Sequence, residues 1–218
     1  MNFNSSIGYA TNTTLDPDSP DYKWEDKGKV IDFRKGGEGV NCIDPNVFVD
    51  EDGRVWLFYG SYKAGLRLVE LNPETGLLLD PENPKVTTIT TSLGEGVFVI
   101  KSPEYYYIFA SRGICCKGLD SNYQMVMGRS KTLEGPYLTR DGKSWVDNRY
   151  TLFLAGNEEE PGRGHNGFYT ENGVTYIVYH AYTRSANGRS LLNIKPLHID
   201  EEGWPTLDES KPLFNRIR

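Results

Sequence analysis

Apolar residues in this chain come in short runs broken by polar turns, and one arrangement of run and turn recurs three times. The first copy is Asp44-Pro45-Asn46-Val47-Phe48-Val49, the turn Asp50-Glu51-Asp52-Gly53, then Trp56-Leu57-Phe58-Tyr59-Gly60-Ser61. The second is Glu95-Gly96-Val97-Phe98-Val99-Ile100, the turn Lys101-Ser102-Pro103-Glu104, then Tyr105-Tyr106-Tyr107-Ile108-Phe109-Ala110-Ser111. The third is His165-Asn166-Gly167-Phe168-Tyr169-Thr170, the turn Glu171-Asn172-Gly173, then Tyr176-Ile177-Val178-Tyr179-His180. Asp-Gly between alternating apolar residues is a strong hairpin signal. The copies therefore predict hairpins at 47–50 with 55–59, 98–100 with 105–111, and 168–170 with 175–179. A third strand should follow each, at 66–71, 123–129 and 191–199. An outer strand is expected at 86–90 in the first unit and toward Gly135-Pro136-Tyr137-Leu138 in the second. Upstream, 5–11 and 24–31 read as extended pieces, with a Pro-rich loop between them and the connector Gly36-Gly37-Glu38-Gly39 after them.

No stretch carries a 3.6-residue apolar period over three turns, so a nearly all-β chain is expected. Self-similarity at roughly fifty residues with about four strands per unit predicts a β-propeller. In that fold the first strand of each blade lines a central channel. Asp44, Glu95 and His165 each stand three residues before Val47, Phe98 and Phe168, so they would meet at one end of it. The alternative is a β-sandwich with these residues on unrelated loops.

Composition narrows the chemistry. The 218 residues suffice for one domain with a core, and fourteen Tyr with twenty-three Gly favour strands and tight turns. A net charge of −6 and the lack of a basic stripe argue against a nucleic-acid partner. No window resembles a membrane span, and no signal peptide opens the chain. Cys42, Cys115 and Cys116 make neither a disulfide framework nor a zinc site, and they read as small buried side chains. Glu158-Glu159-Glu160 reads as a solvated face, and the Asp50-Glu51-Asp52 run as an exposed hairpin turn.

Two carboxylates facing one another across a channel suit glycoside hydrolysis. One carboxylic acid protonates the leaving oxygen while another carboxylate activates water or attacks carbon. Burial among aromatic rings would raise the Glu95 pKa and keep the acid protonated. His165 could ligate a metal or hold a water.

The stretches Asn41-Cys42-Ile43-Asp44-Pro45-Asn46-Val47, Cys115-Cys116-Lys117-Gly118-Leu119-Asp120-Ser121, Met127-Gly128-Arg129-Ser130-Lys131 and Gly162-Arg163-Gly164-His165-Asn166 resemble glycoside hydrolase family 43, in its endo-1,5-α-L-arabinanase branch. The resemblance runs over essentially the whole chain. It implies a five-bladed propeller and an inverting enzyme acting on α-1,5-linked arabinan or arabino-oligosaccharides. A non-catalytic arabinan-binding remnant and another arabinofuranosidase or xylosidase specificity are the alternatives. Glu95 matches the general acid and Asp44 the residue that tunes pKa and orients. Ser61 and Cys116 match positions lining the sugar subsite nearest the cleavage point. His165 matches a histidine that helps hold calcium, or its waters, in the channel. Family members are often secreted.

The general base matches no residue of this chain. The 43 residues before Asp44 resemble the outer part of a second blade. The single propeller domain over 1–218 is therefore expected to hold about three blades and part of another, lacking the first blade and the inner strands of the second. An open ring exposes apolar faces and strand edges, so a homo-oligomer or a complementing chain is expected to cover it.

Overall fold

The computed structural model describes residues 4–34, 39–61 and 63–208, so the predicted connector lies outside them apart from Gly39. The only helical elements among these residues are three single 3₁₀ turns. Strands β1 (Ser6–Thr11) and β2 (Glu25–Asp32) form a two-stranded antiparallel sheet. Three four-stranded antiparallel sheets follow, each running in chain order. The first holds β3 (Asn46–Val49), β4 (Val55–Ser61), β5 (Gly65–Leu71) and β6 (Thr87–Thr88). The second holds β7 (Glu95–Lys101), β8 (Tyr106–Arg112), β9 (Gln124–Ser130) and β10 (Thr151–Leu154). The third holds β11 (Gly162–Glu171), β12 (Val174–Thr183), β13 (Arg189–Ile199) and β14 (Pro205–Leu207). All three predicted hairpins form, across the polar turns that specified them.

The outer strand toward which Gly135-Pro136-Tyr137-Leu138 closes in the second unit is β10. Leu138 makes only single bridges, to Arg129 and to Ser144. The chain there folds over the sheet to bury Trp145 completely. The Trp145 indole N–H donates to the Met127 carbonyl at 3.2 Å. Its ring lies over Gly128, where a Cβ would come within 2.3 Å of the indole nitrogen. A glycine in mid-strand is thus the seat of the covering aromatic.

The sheets pack face to face in chain order. Ile7, Ile31, Val40 and Cys42 meet Leu57, Tyr59 and Val69 between the two-stranded sheet and the first unit. Trp56, Phe58, Leu66 and Leu68 meet Val97, Val99, Ile108 and Trp145 between the first and second units. Phe109 of the second unit packs against Phe168 of the third at 4.6 Å. Being covered on both faces is why the second strands of the first two units, β4 and β8, read as unbroken apolar runs, whereas β12 alternates buried with half-buried positions. Each such large side chain stabilises the fold by about 1.5–3 kcal/mol.

Asp50 organises the first hairpin turn, and its side chain is only 7% exposed. Its Oδ1 accepts from the Asp52 and Arg54 amides, and its Oδ2 accepts from the Trp56 indole at 3.0 Å. Burial pushes this carboxyl up, but the Trp56 and Arg54 hydrogen bonds and the Arg54 charge outweigh it and hold it below the ordinary value. Asp50→Ala is expected to cost about 1–3 kcal/mol in a denaturant titration at neutral pH. A depressed carboxyl contributes stability above its unfolded pKa, ordinarily 3.8, and loses it as pH falls through the folded value. The gap between parent and variant should therefore close below that pH.

Candidate active site

A bulge opens the inner strand of the second and third units at the same place. Glu95 pairs with Ser111 and Phe98 with Phe109, so Gly96 and Val97 together oppose Ala110. Gly164 pairs with His180 and Gly167 with Val178, so His165 and Asn166 oppose Tyr179. The first unit does the same just before β3. There the Gly60 amide donates to the Ile43 carbonyl at 3.0 Å and Asn46 pairs with Phe58, leaving Asp44 and Pro45 opposite Tyr59. The first bulge residue is left-handed each time: Asp44 (φ 54°), Gly96 (φ 59°) and His165 (φ 54°). This corrects the repeat register. Asp44 and His165 are equivalent, but Glu95 stands one residue earlier, where Gly96 takes the bulge.

The three bulges touch. The Gly96 amide donates to Asp44 Oδ2 at 3.1 Å. A Cβ on Gly96 would meet the His165 ring, with Nδ1 at 3.2 Å, so close approach as well as positive φ requires glycine there. The Val99 amide donates to Asn46 Oδ1 at 3.0 Å, tying β7 to β3. The His165 amide donates to Ser111 Oγ at 2.7 Å, tying β11 to β8. Asp44, Glu95 and His165 thus meet at one end of neighbouring inner strands, as expected from the repeat.

Glu95 is half-buried at the root of β7, and its Oε1 accepts the Tyr123 hydroxyl at 2.8 Å. Tyr123 is 1% exposed. Burial, then the Glu95 charge, push its phenol far above the ordinary value, so it stays a neutral donor. A Cβ on Gly164 would fall 2.2 Å from Tyr123 Cδ1, so this glycine is the floor under the ring. His180, the cross-strand partner of Gly164, stacks on the same ring, with centroids 5.8 Å apart and planes 20° apart. Burial, then the His165 charge, lower the His180 pKa and keep its imidazole neutral. The sequence signalled neither Tyr123 nor His180 as functional. The fold alone brings them to Glu95.

Other expected groups fall less simply. Ser61 is 2% exposed and its Oγ accepts from Asn41 Nδ2 at 3.2 Å. Cys116 is exposed, and its amide donates to the Tyr182 hydroxyl at 2.8 Å. Of the three cysteines only Cys42 is buried, against the expectation for all three. The acidic run is exposed at Glu158 and Glu159, as expected, but not at Glu160. Glu160 is 8% exposed and its Oε2 accepts from Arg163 Nε at 3.1 Å, two residues before His165.

Among the described residues, no three His, Cys, Asp or Glu side chains converge at metal-ligand spacing. Calcium takes about six to eight oxygen ligands. The orphaned buried atoms near His165 are the Asn166 amide nitrogen and oxygen and the His180 Nε2, a set suited to water. The described side chains do not make a direct cage for a hard cation. One cleft, of about 550 Å³ beside Tyr105, Arg129 and Trp204, lies toward the opposite end of β8 from Glu95.

Comparisons with known proteins bear on this arrangement. The family described as Glycosyl hydrolases family 43 matches residues 2–205. The extracellular exo-α-(1→5)-L-arabinofuranosidase ArbA of Cellvibrio japonicus (strain Ueda107) is 40% identical over 219 residues, covering 95% of this chain and 63% of that protein. The extracellular endo-α-(1→5)-L-arabinanase 1 of Bacillus subtilis (strain 168) is 32% identical over 213 residues, covering 93% and 60%. The solved α-L-arabinanase of Cellvibrio cellulosa complexed with arabinohexaose aligns with a TM-score of 0.87 at 38% identity, over 94% of this chain and 69% of that one. The chain thus spans less than two thirds of the length of either of these curated relatives.

Proposed function

The chain belongs to glycosyl hydrolases family 43, and on that footing we propose that it cleaves α-1,5-linked L-arabinan with Glu95 as general acid. The observation that carries this is the half-buried Glu95 carboxyl, fixed by Tyr123 at 2.8 Å and joined to Asp44 through the Gly96 amide. The Tyr123 bond occupies Oε1, so the proton to be donated sits on Oε2. It passes to the leaving arabinosyl oxygen as the glycosidic bond breaks. Asp44 orients the turn that carries Glu95. An inverting reaction needs a second carboxylate about 6.5–9.5 Å away to activate water on the opposite face of the sugar. That base is assigned to no residue of this chain. Cys116, exposed beside Tyr182, is the better placed of the two proposed sugar contacts, with Ser61 acting by holding Asn41. A cation at His165 would be held through water. Both curated relatives are named extracellular, a setting that fits a polymeric substrate.

The test is product release from linear α-1,5-arabinan by the purified chain. Retained binding of arabino-oligosaccharides without product would instead favour a binding role. Tyr123→Phe should lower turnover roughly tenfold with little change in KM, the worth of one hydrogen bond that holds the Glu95 carboxyl in place. An unchanged rate would remove Tyr123 from the site.

We also infer that a second polypeptide covers the apolar side chains of Val47, Val49 and Leu192, which are 55%, 59% and 63% exposed. Light scattering should then give a mass above that of one chain. A monomer at every concentration would refute it.

A further inference from the structure

Cys115 and Cys116 take no part in the acid chemistry, yet their thiols are set against each other. The two Sγ atoms lie 2.9 Å apart and both cysteines are free. Consecutive side chains on an extended backbone point to opposite faces. Here Cys116 adopts φ 61°, a left-handed conformation that costs a non-glycine residue energy, and the turn brings the sulfurs together. Three hydrogen bonds hold it: Ile114 N–H to Asn122 Oδ1 at 2.7 Å, Cys116 N–H to the Tyr182 hydroxyl at 2.8 Å, and Lys117 N–H to Ser121 Oγ at 3.2 Å. Cys116 is exposed and Cys115 half-buried, so a small reagent reaches the pair. Cys42 is buried in a different cluster, under the first unit.

We propose that Cys115 and Cys116 form a reversible dithiol–disulfide site, oxidised by low-molecular-weight disulfides and reopened by dithiols. The exposed Cys116 thiolate attacks one sulfur of the small disulfide, breaking its S–S bond and releasing one thiolate. Cys115 then gives up its proton and attacks the Cys116 sulfur, releasing the second. Two protein thiols are oxidised and one small disulfide is reduced to two thiols, so the exchange balances. Burial, then the contact with Cys116, push the Cys115 thiol up to about 11, so its attack quickens as pH rises. Neighbouring Cα atoms are about 3.8 Å apart across a trans peptide. Unstrained disulfides span about 4.4–6.8 Å. The closed ring is therefore strained and easily reduced, which makes it a switch rather than a staple.

The pair is joined to Glu95 by contact. Tyr182, which accepts the Cys116 amide, meets His180 edge-on at 5.2 Å. His180 stacks on Tyr123, and Tyr123 holds Glu95. Closing the ring turns the Cys116 amide and so disturbs Tyr182. The thiol chemistry stands on this geometry alone, while its effect on cleavage rests on the proposed glycoside hydrolysis.

The experiment is to equilibrate the reduced chain with oxidised glutathione, denature it, count thiols and map the peptides. The count should fall from the three free cysteines to one, with loss of two hydrogens in mass and a bond mapped to Cys115–Cys116. Dithiothreitol should restore all three. Cys115→Ser and Cys116→Ser should each retain glutathione on the remaining partner instead of closing. Three persisting thiols, a stable glutathione adduct on the parent chain, or a bond to Cys42 or between chains would overturn the proposal. Arabinan cleavage, followed in parallel, should fall several-fold on oxidation and return on reduction. Unchanged cleavage with the ring closed would overturn the link to Glu95. A reduced chain that cleaves nothing counts against the proposed activity alone, and the thiol count still decides this inference.

Discussion

Glu95→Gln is expected to slow arabinan cleavage by about 10²–10⁴-fold, the usual worth of a positioned general acid. The substitution is nearly isosteric, and the amide oxygen can still accept the Tyr123 hydroxyl. Folding and substrate binding should therefore survive, and the loss should fall on kcat rather than KM. The decisive comparison is between leaving groups. An arabinofuranoside with a good aryl leaving group departs without a proton, so Glu95→Gln should slow it far less than it slows the polymer. Equal losses on both substrates would mean that Glu95 binds or orients rather than donates. No loss on either would sink the assignment. Asp44→Asn is the complementary control. It keeps an acceptor for the Gly96 amide now held at 3.1 Å, and any loss it causes reports on Asp44's charge rather than on the turn it anchors.

How much of this could be read from the residues depended on whether the signal was local. Hairpins were legible because period-two apolar runs flank polar turns such as Asp52-Gly53, and the register follows from the turn. The outer strand of the second unit was not. Gly135 and Pro136 mark a turn, but the burial of Trp145 onto Gly128, which precedes the strand at 151–154, is a contact between distant residues. Asp44, Glu95 and His165 were found together because the repeat was real. The repeat alone sets Glu95 level with Asp44 and His165, one residue out of register, because a bulge adds a residue without any fixed identity. Asp, Gly and His all occupy its left-handed position here. Gly96 was the available clue, since a glycine at the head of a strand often marks a bulge. Tyr123 lies 28 residues beyond Glu95, immediately before the third strand of the same sheet, and nothing local distinguishes it from the other tyrosines.

Arg163→Met should prove the most destabilising of these changes, by about 3–5 kcal/mol, since breaking a buried ion pair strands the remaining charge. Arg163 and Glu160 have side chains only 5% and 10% exposed. Glu160 also anchors the loop before β11, through its amide to Asn157 Oδ1 at 2.7 Å and its carbonyl to the Asn157 amide at 2.9 Å. Arg163 in turn donates its own amide to the Tyr123 carbonyl at 2.8 Å. The pair therefore fixes both the start of β11, which carries His165, and the backbone at Tyr123, just before β9, that presents its hydroxyl to Glu95. Pairing Arg163→Met with Glu160→Gln should recover much of the lost stability, because no uncompensated charge remains. A double variant as unstable as the single one would show that the Arg163 stem, not the charge pair, supports the loop. Cleavage separates the two roles further. If the ion pair positions Tyr123, the double variant should regain stability yet stay slow on arabinan. A double variant that regains both would confine the pair to folding.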